Sequence, residues 1–331
     1  MRVGLAWCEL TSRDNQSMAT SKRFAVAVNP AAAQGRGIAA GQAVIALLHA
    51  RGYGADLVQG ADAAELARSV RSRLGADTAG LVVVGGDGMV QLGANIVAGT
   101  GLPLGVVPAG TGNDFCRALG IPQGDVEGAV SLMLAALEGG GRDVDLGVVR
   151  DAARGECRFA GVLSLGFDAA VNARANRMRW PRGPRRYSIA ALLELLRFRP
   201  IQYRIVVDGM PRGERAMLLS VANAGVFGGG MRLVPHGRLD DGVLDLVTLA
   251  PLAKLRFLRF FPRVFKGTHT SVRELAFEEA RSVRIESADR RIVAYADGEP
   301  IGELPLEVRV EAGALRLLVP PLRADPRSDA V

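Results

Sequence analysis

"VVVGGDGMVQLGAN", residues 82–95, runs from an apolar stretch (Leu81 to Val84) directly into Gly-Gly-Asp-Gly and then into a segment of helical periodicity. A short apolar run closed by glycine reads as a strand buried on both faces; Val90, Gly93, Ala94 and Val97 follow at helical spacing. Glycines in a strand-to-helix turn let backbone N–H groups approach an anion, and the helix N-terminus behind them adds partial positive charge. Asp87 stands inside this cradle, with no lysine beside it.

The same alternation extends outward. "FAVAV" (24–28) reads as a strand, followed by "NPAAAQGRG" and a helix over 38–50. "GADLV" (54–58) precedes a helix whose Asp62 and Glu65 have capping-box spacing. "LPLGVV" (102–107) enters "PAGTGND" and a further helix. Short apolar strands alternating with helices predict a doubly wound α/β domain, placed over residues 22–143. Beyond the glycine-rich "EGGGRDVDLG", read as a link, come "CRFAGVLSLGF", "YRIVVDG", "RAMLLSVANAG", "VLDLVTLA", "SVRIES", "RIVAYADG", "LEVRVEAG" and "ALRLLVP". These predict a β-rich, antiparallel sandwich-like domain over 144–321, whose last strand is free to return to the first domain. Residues 1–21, with a second candidate start at Met18, and residues 322–331 read as disordered extensions.

Composition narrows the function classes. The formal net charge is +7, carried almost wholly by arginine because Lys22, Lys254 and Lys266 are the lysines. Such a balance favours phosphates or acidic surfaces as partners. No nucleic-acid-binding module is recognisable, so nucleic acid is not an expected partner. No apolar run reaches the ~18 residues of a membrane span, and the first residues lack a secretory signal. Cys8, Cys116 and Cys157 are too scattered for a disulfide framework or a zinc site. The cytoplasm is the expected compartment.

In a parallel sheet every strand-to-helix turn lies on one edge, so "NPAAAQGRG", "GGDG" and "PAGTGND" converge there. Asp87 and Asp114 then fall beside the phosphates, where carboxylates are repelled unless a cation lies between. The set predicts a magnesium nucleotide, with Asp145 of "RDVDLG" able to join from the domain junction.

"GGDG", "PAGTGNDFCRALG", "FGGGMRLVPHGRLDDGVLDLV" and "YADGEP" together resemble the lipid kinase family built on the diacylglycerol kinase catalytic domain, in its soluble bacterial branch. The resemblance runs from about Phe24 to Pro320. It implies an α/β ATP-binding domain, a β-rich lipid-substrate domain, and ATP- and magnesium-dependent phosphorylation of a lipid hydroxyl, with diacylglycerol the leading acceptor. By matching motif, it implies ATP contacts at Asn29, Pro30, Gly86, Asp87, Gly88, Met89 and Thr111. Glu299 becomes the base that deprotonates the lipid hydroxyl, with Asp87 beside it in the catalytic site. Asp241, with the carbonyls of Arg238 and Val243, becomes a structural magnesium site. Asp87, Asp114 and Asp145 match acidic positions near the catalytic magnesium. The sequence departs from the family at Met89, Gln91 and Leu92, where the pattern has Thr and then Asn-Glu.

One internal comparison bears on Glu299. "VVDGMPRGE" (206–214) and "YADGEPIGE" (295–303) share Asp-Gly-x-Pro-x-Gly-Glu, and Met210 stands where Glu299 stands, so the turn itself needs no glutamate. Two basic stretches remain. Residues 174–200 carry eight arginines around an apolar stripe of Ile189, Leu192, Leu193 and Leu196; residues 254–266 interleave basic residues with four phenylalanines. The Leu and Phe residues are expected to pack inward. The arginines suit an anionic bilayer, so peripheral association with the inner face of the membrane is expected. Other readings are the same chemistry on a sphingoid base, ceramide or another lipid alcohol, and a nucleotide-binding lipid sensor with little catalysis.

Overall fold

The computed structural model describes residues 22–29, 36–110, 112–151, 155–178, 180, 185–288 and 292–320. The expected disordered extensions, 1–21 and 322–331, lie outside them, as do Pro30 and Thr111. The first half is β1 (Arg23–Val28), α1 (Arg36–Ala50), β2 (Gly54–Val58), α2 (Ala63–Arg71), β3 (Thr78–Gly85) and α3 (Asp87–Val97). It continues through β4 (Leu104–Pro108), α4 (Asp114–Ala118) and α5 (Val126–Glu138). Strands β2-β1-β3-β4 pair in parallel in that order. Helices α1 and α5 pack together, as do α2 and α3. Val26, Ala27 and Val28, whose side chains alternate between faces, are all fully buried, so both faces of the sheet are covered. The expected cap forms in a shifted version: Asp62 Oδ1 accepts from Glu65 N at 2.8 Å, and Glu65 Oε2 accepts from Ala61 N, one residue before the N-cap, at 2.9 Å.

The second half begins with β5 (Arg142–Asp151), β6 (Gly155–Phe159), β7 (Val162–Gly166), α6 (Phe167–Arg177) and α7 (Arg185–Arg197). Then come β8 (Ile201–Val207), β9 (Met210–Ala216), β10 (Leu218–Ala222), β11 (Val226–Phe227), β12 (Met231–Arg232) and β13 (Leu244–Leu249). The chain ends with α8 (Lys254–Lys266), β14 (Leu275–Ala280), β15 (Ser282–Ser287), β16 (Val293–Ala296), β17 (Glu299–Glu303) and β18 (Leu306–Leu317). Strands β14-β13-β10-β7-β16-β17 form an antiparallel sheet. It faces β5, β15, β8 and β18 across an apolar core that includes Phe159, Leu163, Leu165, Tyr203, Ile205, Leu219, Val283 and Ile285.

Two readings change. The glycine-rich "link" is only three glycines long; residues 142–151 form β5, mostly buried and paired antiparallel along β18. "LEVRVEAG" and "ALRLLVP" are one strand, β18, with a register break between Glu311 and Leu315. The end of β18 lies parallel to β4 at Leu317–Leu104, then β15, β8 and β9 follow antiparallel, so one sheet runs through both halves. That shared sheet sets the parallel turns beside the second sheet.

Candidate active site

The cradle is built from two turns in contact. β3 delivers Gly86 as the N-cap of α3, with Asp87 and Gly88 in the first turn. β4 delivers Gly110, whose approach to Gly86 is so close that a Cβ on Gly110 would lie 2.5 Å from Gly86 Cα and 2.9 Å from its N. Asn113, at φ 54°, closes the second turn: its Oδ1 accepts from Gly110 N and its Nδ2 donates to Gly110 O, both at 3.1 Å. Asp87 is fixed across the gap, its Oδ1 accepting from Phe115 N at 3.0 Å. Asn29 is exposed at the end of β1, on the same sheet edge.

Met89 does not face the cradle. Its side chain lies under Gly85, where an added Cβ would sit 2.4 Å from Met89 Cγ, and its N–H donates to Gly86 O. Gln91 is buried and Leu92 packs against the core. The departures from the family pattern are therefore accommodated by packing on the core side of α3.

Asp114 is buried beside Asp87. Its Oδ2 accepts from Gly229 N at 2.7 Å, while its Oδ1 is buried with no hydrogen-bond partner among the described residues, Arg117 Nε lying 3.9 Å away. Burial pushes its carboxyl above the ordinary range, and the charge of Asp87 adds to the rise. A buried, orphaned carboxylate oxygen next to a second carboxylate fits a hard divalent cation completed by water and phosphate oxygens. Among the described residues no group of three or more His, Cys, Asp or Glu could hold a metal alone.

Asp145 does not join them. It lies on β5, where Oδ2 accepts from Gly242 N and Oδ1 from Gly313 N, both at 2.7 Å, so it closes the 238–243 turn onto β18. In that turn Val243 N donates to Asp241 Oδ1 at 3.2 Å, and the Arg238 guanidinium pairs with Asp240. Burial raises the Asp241 carboxyl, with Asp145 adding to it, and burial with Asp241 nearby pushes Asp245 up to about 6. The acidic positions thus split into two loci: Asp87 with Asp114 at the cradle, and Asp145 with Asp241 behind it.

The second sheet brings Glu299 to the cradle. Asp297 and Gly298, at φ 51° and 88°, make a tight hairpin turn from β16 into β17. Asp297 was not singled out from sequence, yet it fixes this turn: its carboxylate accepts from the N–H groups of Ala160, Gly161 and Val162 at 2.9, 2.8 and 3.1 Å. Burial pushes it up to about 7, with Asp87 contributing. Asn176 of α6 donates to Gly298 O at 3.3 Å. The Glu299 Oε1 consequently lies 3.8 Å from where a Cβ on Gly88 would be, across from the α3 N-terminus.

Both turns and Glu299 line one cavity of about 1030 Å³. Its polar end holds Gly86, Asp87, Gly88, Gly110, Asp297 and Glu299; its other end is walled by Phe257, Phe260, Phe261, Val264 and Leu275. A helix N-terminus of the kind that suits an anion, a carboxylate facing it and an apolar chamber behind can bring a phosphate donor and a greasy alcohol to the same point.

Residues 23–149 match the diacylglycerol kinase catalytic domain family, and residues 161–319 match the YegS C-terminal NAD kinase beta sandwich-like domain. A diacylglycerol kinase of Mycobacterium tuberculosis (strain CDC 1551 / Oshkosh) is 36% identical over 293 residues, which cover 88% of this chain and 93% of that protein. A diacylglycerol kinase of Bacillus subtilis (strain 168) is 27% identical, covering 75% of this chain and 80% of the relative. The fold is also that of a crystal structure of a diacylglycerol kinase from Bacillus anthracis str. Sterne, at TM-score 0.66 and 18% identity, covering 91% and 97% of the two chains. This chain belongs to the diacylglycerol kinase-like family of ATP-dependent lipid kinases.

Proposed function

We propose that the protein transfers the γ-phosphate of magnesium ATP to the free hydroxyl of diacylglycerol, giving phosphatidic acid. The observation that carries this reading is the single cavity in which Glu299 faces the α3 N-terminus while a phenylalanine-lined chamber extends behind it. The backbone N–H groups of the two glycine turns hold the phosphates, and the α3 dipole adds to their grip. Glu299 takes the hydroxyl proton as the oxygen attacks the γ-phosphorus and the bond to the bridging β-phosphate oxygen breaks, with ADP as the leaving group. Asp297 holds the hairpin so that this carboxylate stays opposite the donor. Asp87 and Asp114 would hold the magnesium ion, which when bound neutralises charge on the phosphates. Asp241, beside Asp145, is the candidate for a second, structural ion.

The membrane side of the reading rests on α7 and α8. The Ile189, Leu192, Leu193, Leu196 stripe, expected to pack inward, instead faces out; Ala190, Ala191 and Leu195 are the buried ones among the described side chains of α7. Leu192 and Leu196 are 49% and 61% exposed, and Leu255 of α8 and Trp180 are each 80% exposed. The reason is visible in the cavity: small residues such as Ala191 sit over it, which leaves the large ones on the outer side. The two helices are tied by Lys254 Nζ donating to Leu196 O. Ser188 and Phe265, both exposed, also line the cavity, so its mouth opens within this apolar and arginine-rich face. Such a face suits an anionic bilayer, from which the acceptor can enter without crossing water.

The deciding experiment is transfer of labelled γ-phosphate to a panel of lipid alcohols in anionic mixed micelles, with wild type and Glu299→Gln. Diacylglycerol phosphorylation that falls at least a hundredfold in the variant, with ATP binding kept, is the expected result. Near-normal turnover by Glu299→Gln would remove it as the base.

A further inference from the structure

Between the polar and apolar ends of the cavity lies one polar pair that the reaction outlined above does not use. β7 and β10 turn Val162, Ser164, Leu218 and Ser220 toward the helices, while Leu163, Leu165, Leu219 and Val221 fill the sandwich core. Ser164 pairs across the sheet with Tyr295, two residues before the Asp297 anchor. Four residues on, in the first turn of α6, Asp168 accepts a hydrogen bond from the Ser164 hydroxyl through Oδ2. Both residues are buried and both line the cavity. The same helix carries Asn176, which holds Gly298. Ser164 and Asp168 therefore stand one step beyond Glu299 on the way to the phenylalanine chamber.

A carboxyl in such a place needs a reason. Among the described residues no cation offsets it: burial pushes it up to about 6, against the Ser164 hydrogen bond. The first turn of α6 does not explain it either, since the carboxylate's hydrogen-bond partner among the described residues is Ser164 rather than a backbone N–H. An acyl chain filling the chamber would exclude water and favour the neutral form further. The neutral acid then has an O–H to donate from Oδ1, while Oδ2 stays engaged by Ser164.

Resting on the lipid kinase reading, we propose that Ser164 and Asp168 form the acceptor-recognition subsite, Asp168 taking up a proton from solvent as the lipid enters and then donating a hydrogen bond to an ester oxygen adjoining the hydroxyl that Glu299 activates. The pair thus selects uncharged, ester-bearing lipid alcohols. A cationic amino alcohol would instead call for an ionised carboxylate at this place.

The test is direct binding of radiolabelled dioctanoylglycerol to the full chain, which needs no turnover, alongside ATP binding and steady-state kinetics. Asp168→Ala should weaken acceptor binding about tenfold and raise the acceptor KM to match, leaving ATP binding unchanged. Asp168→Asn, whose amide can still donate to an ester and accept from Ser164, should stay within about threefold of wild type. Unchanged binding by Asp168→Ala, or equal damage from Ala and Asn, overturns the proposal. Should Asp168→Ala also lose ATP binding through misfolding, Ser164→Ala decides: about a threefold loss of acceptor affinity supports the subsite and none overturns it. Wild type that binds dioctanoylglycerol in this pattern yet transfers no phosphate would overturn the kinase reading while supporting the subsite.

Discussion

Asp168→Asn should make the protein more stable at pH 8 and leave it nearly unchanged at pH 4. Asp168 is buried, and its carboxyl is pushed from an ordinary 3.8 to about 6. Burial is the first cause, with the Ser164 hydrogen bond opposing it. The sign follows from linkage. Below pH 3.8 the acid is neutral in both folded and unfolded chains, and burying it costs little. Above pH 3.8 the unfolded chain gains a solvated carboxylate while the folded chain keeps its proton until about 6, so stability is lost between those two values and stays lost above them. A difference of about two units corresponds to about 3 kcal/mol at pH 8. The asparagine amide keeps an acceptor for Ser164 and removes the titration. Urea denaturation at pH 4 and pH 8 measures both terms, with m-values checked for equality. A variant less stable than wild type at pH 8, or a difference that does not change with pH, would refute the reasoning. Such a gain would make the isosteric amide the more stable choice and leave the carboxyl in need of a functional account.

Three further outcomes are expected. Gly110→Ala puts a methyl group 2.5 Å from Gly86 Cα and 2.7 Å from Asn113 Oδ1, so the two turns must part; ATP affinity by calorimetry should fall at least tenfold and stability by about 2 kcal/mol. Leu192→Asp with Leu196→Asp changes only outward-facing side chains, so melting and activity on dispersed dioctanoylglycerol should persist while sedimentation with phosphatidylglycerol vesicles is lost; retained sedimentation would place the docking face elsewhere. Asp241→Ala should reverse sign with magnesium. In chelator the variant should melt at or above wild type, because the burial of the Asp241 carboxyl and its repulsion of Asp145 and Asp245 are relieved, whereas in millimolar magnesium wild type alone should gain. Melting of wild type that ignores magnesium would end the structural-ion role of Asp241.

The first half of the chain was legible because its signals are local. A strand covered on both faces must be apolar throughout, as Leu81 to Val84 are, and a turn with two backbones in contact must be glycine, as Gly86 and Gly110 are. What the sequence hides is the partner. β5 escaped recognition because Asp143 and Asp145 interrupt its apolar pattern, and the Asp145 charge is met by N–H groups 97 and 168 residues away. The α7 stripe had the right period and the wrong address, because a period says that one side is greasy and not whether protein lies against it. Asp168 and Asp297 look like any surface carboxylate until β7 and α6 enclose them.

The two Asp-Gly hairpins make the same point within one molecule. Asp208 and Asp297 sit at φ 46° and 51°, each followed by a positive-φ glycine, and each carboxylate captures backbone N–H groups of a neighbouring segment. Turn and anchoring are shared, with Val207–Met210 and Ala296–Glu299 as the closing pairs; the β16–β17 register then shifts between Ala294 and Tyr295, whereas β8–β9 stays regular. Yet the Asp208 anchor lies at the start of β15, on the outer side of the long sheet, and leaves Met210 in solvent. The Asp297 anchor lies at the start of β7, where the second sheet meets α3, and its burial beside Asp87 is the electrostatic trace of that position. The motif supplies a rigid arm. Its attachment point decides whether the residue at the tip meets water or a phosphate donor, and that placement gives Glu299 its proposed role.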